Sequence, residues 1–140
     1  MELGCLCRRL GARAYAHATE DLDRVVEAVR NVAPGGRIAV AKAKGHHGNE
    51  IAVVTAEVEG CEASDILKYI LNNLDEIEFN ILINSININK NRLYIRINKQ
   101  KALFGVLRLD EGDDVVVVEA RVASRDFNKL IDFLRNARGR

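Results

Sequence analysis

Residues 89–109 read NKNRLYIRINKQKALFGVLRL and carry six cations, Lys90, Arg92, Arg96, Lys99, Lys101 and Arg108, with no acid. Within them Leu93, Ile95 and Ile97 alternate with Arg92, Tyr94 and Arg96. That period of two predicts a strand with one apolar face and one Arg-Tyr-Arg face. Cations around an aromatic on an open sheet face suit a nucleic-acid strand, with charge for phosphates and a flat ring for a base. Arg13, Tyr15 and His17 repeat the pattern in LGARAYAHA, residues 10–18. If the two strands share a face, the platform widens. The small residues Ala12, Ala14 and Ala16 leave open the other orientation, with Tyr15 in the core. The competing reading of Arg92, Tyr94 and Arg96 is a solvated strand face that binds nothing.

Other residue groups carry less chemistry. His46 and His47 sit in Gly45-His46-His47-Gly48-Asn49, a hairpin tip that could grip a phosphate or stack on a base, or could simply be polar. With Cys5, Cys7 and Cys61 they lack the paired spacing of a zinc site. Asp110, Glu111, Asp113 and Asp114 crowd one turn marked by Gly112. Metal-assisted phosphodiester hydrolysis needs carboxylates converging on one ion, and turn formation explains these acids better. The chain has no Walker-type phosphate loop, and its Ser and Cys residues have no evident base partner. No cofactor, metal or catalytic residue is expected.

The chain as a whole is nearly neutral, at +1, with a pI near 7.7, so only the distribution of charge argues for nucleic acid. Residues 57–80 carry seven acids against Lys68, and residues 110–119 carry five acids and no cation. If folding preserves this sorting, one surface is positive and another negative. Apolar content of 48% over 140 residues supports one domain, with 1–9 as an N-terminal extension and 136–140 as a basic tail. No apolar run approaches the roughly 18 residues of a membrane span. The start lacks a secretory signal, which predicts a cytoplasmic protein. An odd count of three cysteines then reads as reduced thiols.

Strands are predicted over 10–18, 37–44, 50–59, 91–98, 103–110 and 114–122. Helices are predicted after Thr19, near Ser64, and after Ser124, where Phe127, Leu130, Ile131 and Leu134 share a face. Residues 75–88 fit either a helix or a strand by pattern. Their apolar surplus, Ile77, Phe79, Ile81, Leu82 and Ile83, would serve the core and could make a homodimer contact. Short turns between neighbouring strands imply an α+β two-layer sandwich, a mainly antiparallel sheet of about six strands with helices on one face.

Four segments, AYAHATED (14–21), GHHGNEI (45–51), LYIRINKQKALFG (93–105) and DEGDDVVVVEARV (110–122), together resemble an archaeal RNA-binding family described as predicted exosome subunits. The resemblance covers residues 12–122. It implies the fold of the large-subunit ribosomal protein that binds 5S rRNA, an RNA-related role, and a helix over 75–88. Asn98 stands where the family has Asp, and Glu50 where it commonly has Pro, which argues against any role needing a carboxylate at 98.

The combined expectation is a non-catalytic RNA-binding protein, an accessory factor in RNA processing or degradation associated with the exosome. Arg92, Arg96, Lys99 and Lys101 would contact phosphates and Tyr94 would stack on a base. Arg13, His17, Lys42, Lys44, His46 and His47 would extend the site. The alternatives are an assembly subunit that binds a protein of an RNA-processing complex, and a metal-dependent nuclease.

Overall fold

Five runs of alternating or continuous apolar residues form strands: β1 (Cys7–His17), β2 (Arg37–Lys44), β3 (Glu50–Glu59), β4 (Arg92–Asn98) and β5 (Val115–Val122). They make one antiparallel sheet in the order β2-β3-β1-β5-β4. This computed structural model describes residues 5–44, 48, 50–85, 91–122, 126 and 128–132. Helices α1 (Leu22–Val32), α2 (Glu62–Asn73) and α3 (Glu76–Ser85), with the short α4 (Lys99–Leu103), complete the described elements. The α+β class is as expected, with helices packed on one face of an open sheet.

The core lies between that face and the helices. Alternate strand residues supply one side of it: Leu10, Ala12 and Ala14 of β1, Val54 and Ala56 of β3, Leu93, Ile95 and Ile97 of β4, and Val116 and Val118 of β5. The helical side comes from Val29 and Val32 of α1 and Leu67, Ile70 and Leu71 of α2, all essentially inaccessible to solvent. Burial of apolar surface at this density is the main force holding the two layers together.

Helix starts differ from expectation in instructive ways. Asp21, not Thr19, caps α1, its carboxylate accepting from the Asp23 N–H. Ser64 is not a cap at all. It lies inside α2, buried, with its hydroxyl accepting from the Cys7 N–H at 3.0 Å and donating to the Cys7 carbonyl at 2.7 Å. The ambiguous segment 75–88 is helical over Glu76–Ser85. Asp75 and Glu78 close a reciprocal capping box there, each carboxylate accepting the other's backbone N–H.

Residues 103–110 are not a strand. Asn98 caps α4 through the Lys101 N–H, and Gly105, with φ of 78°, turns the chain back. Of residues 103–110 only Leu109 bridges to β4, opposite Ile97, so among the described residues the sheet has five strands rather than about six.

The three cysteines are not all reduced thiols: Cys5 and Cys61 form a disulfide across 56 residues of sequence, and Cys7 is free and buried. Burial raises the Cys7 thiol pKa above its ordinary value, outweighing hydrogen bonds to the backbone of Arg9 and Arg121. No helix among the described residues is long and apolar enough to cross a membrane. Residues Ser124, Phe127 and Leu134 of the expected last helix lie outside the described residues, within which Leu130 is buried.

Candidate nucleic-acid interface

Strand register decides which side chains share the open face. Arg13 pairs with Thr55 on one side and Val117 on the other, and Val117 pairs with Arg96. Paired residues point the same way, so Arg13 and Arg96 stand on one row with Val117 between them. Two strand spacings put their backbones about 10 Å apart. Tyr15 and His17 continue up β1 on this face, and Gly11 faces Glu119 and then Tyr94 on the row below. Tyr15 therefore looks to solvent and not to the core; it is 46% exposed and Tyr94 48%. The structure thus brings Arg13, His17, Arg92, Tyr94 and Arg96 together with Tyr15.

Acids join them. Glu57, Glu59 and Glu119 lie on the same face as Arg9, Arg13, Arg37, Arg92, Arg96 and Arg121. The charge sorting along the chain is therefore not preserved as separate surfaces, because antiparallel pairing sets acidic stretches beside basic ones. Glu57 lies 3.9 Å from Arg9 and 4.0 Å from Arg37, and Glu119 lies 3.2 Å from Arg92 and 3.8 Å from Arg121. The Glu119 Oε2 nearest Arg92 is buried and forms no well-aligned hydrogen bond, so that pair is electrostatic contact without directional bonding. A hydrogen bond to the Tyr94 hydroxyl, then the charge of Glu119, raises the Arg92 pKa.

Two guanidiniums escape this neutralisation. Arg13 has no hydrogen bond or ion pair among the described residues, and Arg96 donates only to the Gly112 carbonyl, at 2.5 Å. Both line a cleft of about 390 Å³ with Tyr15, His17 and Asp113. Arginines without a carboxylate partner, beside exposed aromatic rings, are what a flexible polyanion with stackable bases requires.

Other expected contacts are placed elsewhere. Lys99 does not reach solvent: it is 3% exposed, and its ammonium lies 2.8 Å from Glu20, 2.6 Å from Asp114 and 2.9 Å from the Tyr15 carbonyl. Its expected phosphate contact is replaced by a structural one, since all three ammonium protons face protein oxygens. Lys101 is exposed in α4. Lys42 and Lys44 pair with Ala52 and Glu50, which puts them on the helix-side face of β2, opposite Arg96. They do not extend the patch. His46 and His47 lie outside the described residues. The face also holds residues the sequence reading passed over, Arg9, Arg37 and Arg121; their parity with Arg13, Ala39 and Glu119 along the strands was the available signal.

Two acids of the 110–114 turn, Asp110 and Asp114, hold local structure. Asp110 accepts from the Gly112 N–H at 2.8 Å and from the Asn98 amide at 2.7 Å, which hold its carboxyl below its ordinary pKa in that order. Partial burial pushes the Asp114 carboxyl up, but hydrogen bonds from Lys99 and Gln100 and the Lys99 charge bring it below the usual range. Among the described residues no group of three or more His, Cys, Asp or Glu side chains is placed to hold a metal ion.

The fold is thus an α+β sandwich with one open sheet face that bears arginines and tyrosines. The chain belongs to the family described as RNA binding, which matches residues 9–122. An RNA-binding protein of Pyrococcus abyssi is 30% identical over 137 residues, spanning 84% of this chain and 82% of that protein. An uncharacterized protein of Methanocaldococcus jannaschii is 34% identical over 113 residues, 74% of this chain and 76% of its own length. A solved structure from Archaeoglobus fulgidus is similar at a TM-score of 0.72 and 33% identity, covering 93% of this chain and 98% of that one. Another, from Sulfolobus solfataricus, has a TM-score of 0.78 and 25% identity over the same shares. The expected archaeal RNA-binding family is thus the family of this chain.

Proposed function

We propose that the protein binds RNA through the open sheet face, without catalysing a reaction, as an accessory factor in cytoplasmic RNA processing or degradation of the kind the exosome carries out. The observation that carries this reading is the pair Arg13 and Arg96, unneutralised on one row, between Tyr15 and Tyr94. The surrounding arginines already have glutamate partners and add less. The Cys5–Cys61 disulfide is compatible with a cytoplasmic protein, since some organisms keep disulfides inside the cell.

Fluorescence anisotropy with labelled single-stranded RNA, across a salt series, tests it. Replacing two phosphate contacts in Arg13→Ala/Arg96→Ala should weaken binding at least about tenfold and flatten the log K against log salt slope by about 1.4, at about 0.7 per contact. Arg92→Ala, whose charge Glu119 already offsets, should change affinity less than about threefold. Unchanged affinity in the folded double variant would rule out this site. RNA left intact after incubation with Mg²⁺ or Mn²⁺ is the outcome expected of a non-catalytic binder.

A second reading rests on α3. Phe79, Leu82 and Ile83 are core, but Ile77 is 72% exposed and Ile81 56%. This surplus would suit a protein of an RNA-processing complex or a second copy of the chain. A monomer that binds RNA and brings down no protein would dismiss it.

A further inference from the structure

The cleft between Arg13 and Arg96 holds a group that phosphate binding alone does not explain. Asp113 stands on its rim, exposed, with no hydrogen bond or ion pair among the described residues. Its neighbour Asp114 is different: Lys99 and Gln100 occupy that carboxylate. A slot built only for phosphate gains nothing from a free carboxylate, which repels the ligand at short range. The combination of two guanidiniums without a carboxylate partner, one free carboxylate and a half-exposed ring instead fits a ligand that is anionic at one end and rich in paired donors at the other.

Size narrows the choice. A cleft of about 390 Å³ lies near the lower end of small-ligand sites and takes one nucleotide, not a folded RNA element. Among the four RNA bases only guanine presents two adjacent donors, N1–H and N2–H, at the spacing of the two oxygens of a carboxylate. Adenine and cytosine offer one exocyclic amine, and uracil one ring N–H. Guanine uses both donors in Watson–Crick pairing, so a paired base could not present them. Its π-face is likewise open to Tyr15 only when unstacked from a neighbour.

Resting on the reading of the open face as an RNA site, we propose that this cleft selects an unpaired guanine nucleotide within single-stranded RNA. Asp113 accepts from N1–H and N2–H, Tyr15 lies against the base, and Arg13 and Arg96 hold the flanking phosphates. The carbonyl of Gly112 fixes the Arg96 guanidinium, so one phosphate position is set by the same loop that presents Asp113. Loop 110–114 therefore couples backbone binding to base choice.

The test uses the full chain and labelled eight-nucleotide adenosine strands carrying one central guanosine, inosine or adenosine. Inosine lacks only the N2 amine. The guanosine strand should bind about tenfold more tightly than the inosine strand, the discrimination of a good bidentate contact. Asp113→Asn should bring that ratio close to one, and Asp113→Ala should do the same if the amide finds another partner. Equal binding of guanosine and inosine strands by the native protein, or a ratio that survives both substitutions, would overturn the guanine assignment while leaving RNA binding in place. Failure of all three strands to bind at low salt would instead remove the RNA reading itself. Guanosine monophosphate, with one phosphate and no chain, should compete only at concentrations at least about a hundredfold above the strand. Competition at equal concentration would assign the cleft to a free nucleotide.

Discussion

Two lysines two positions apart show how far residue type alone can be read. Lys99 and Lys101 belong to one Asn-Lys-Gln-Lys run and look equivalent in the sequence. In the fold Lys101 is exposed, while the Lys99 ammonium is enclosed by Glu20, Asp114 and the Tyr15 carbonyl. Nothing local distinguishes them, because the burial of Lys99 depends on β1 and the β1–α1 turn approaching from about 80 residues earlier in the chain. Lys99→Met should therefore lower the unfolding free energy by about 2 kcal/mol, less than a fully enclosed pair would lose because both carboxylates retain some access to water. Lys101→Met should stay within about 0.5 kcal/mol of the native protein. Urea unfolding of the two variants separates them; equal small losses would mean that the enclosed ammonium contributes no net stability. By contrast, the Arg-Tyr-Arg face was legible, since alternation with Leu93, Ile95 and Ile97 fixes it without reference to any partner strand.

At the scale of elements, periodicity gave β4 and β5 almost to the residue, and its failures have physical causes. Residues 103–110 look like a strand, but α4 takes the first of them, because Asn98 offers its side-chain carbonyl to the Lys101 N–H. The helix over Glu76–Ser85 had a readable signal, Asp75 three residues before Glu78, that outweighs its poor composition. Lys42 and Lys44 also had one: they share parity with Ile38 and Val40, so they continue the helix-side face of β2 past the core. Asn98 itself yields a prediction. Its amide carbonyl caps α4 while its NH₂ donates to Asp110 at 2.7 Å. Asn98→Asp would keep the cap and set two carboxylates together. In the native protein the Asp110 pKa is lowered, so its contribution to stability is complete above the ordinary carboxylate pKa of about 3.9 and is lost as pH falls through the lower, folded value. In Asn98→Asp the shared site should bind a proton more readily folded than unfolded. Its pKa then rises above about 3.9, and stability is lost as pH rises through it. The variant should be less stable than the native protein at pH 7, with the gap narrowing below about pH 4. A stability difference that does not depend on pH would show that the two side chains separate instead.

The whole molecule is organised around a division between two faces, and the disulfide belongs wholly to one of them. Cys5 and Cys61 join the start of β1 to the turn before α2, with Cα atoms 4.7 Å apart. The same corner is held by the Gly60 N–H to the Arg8 carbonyl at 2.9 Å and by the two bonds between Ser64 and Cys7. A separation of 56 residues and an odd cysteine count gave no pairing in the sequence; only the packing of α2 beneath β1 brings these two thiols together. Closing so long a loop restricts the unfolded chain, and reduction should lower the unfolding free energy by about 4 kcal/mol. RNA affinity should move less than about twofold, because Arg13 lies about 20 Å along β1 from Cys7 and on the other side of the sheet. Urea unfolding and anisotropy, each with and without reductant and compared with Cys61→Ser, measure both effects. Reduced native protein and Cys61→Ser should coincide in stability, and both should bind RNA as the oxidised protein does. Three titratable thiols in the unreduced, denatured protein, with a midpoint indifferent to reductant, would show that the bridge is not formed in solution. A large loss of RNA affinity on reduction would mean that the corner positions the open face, and the two faces would not be independent.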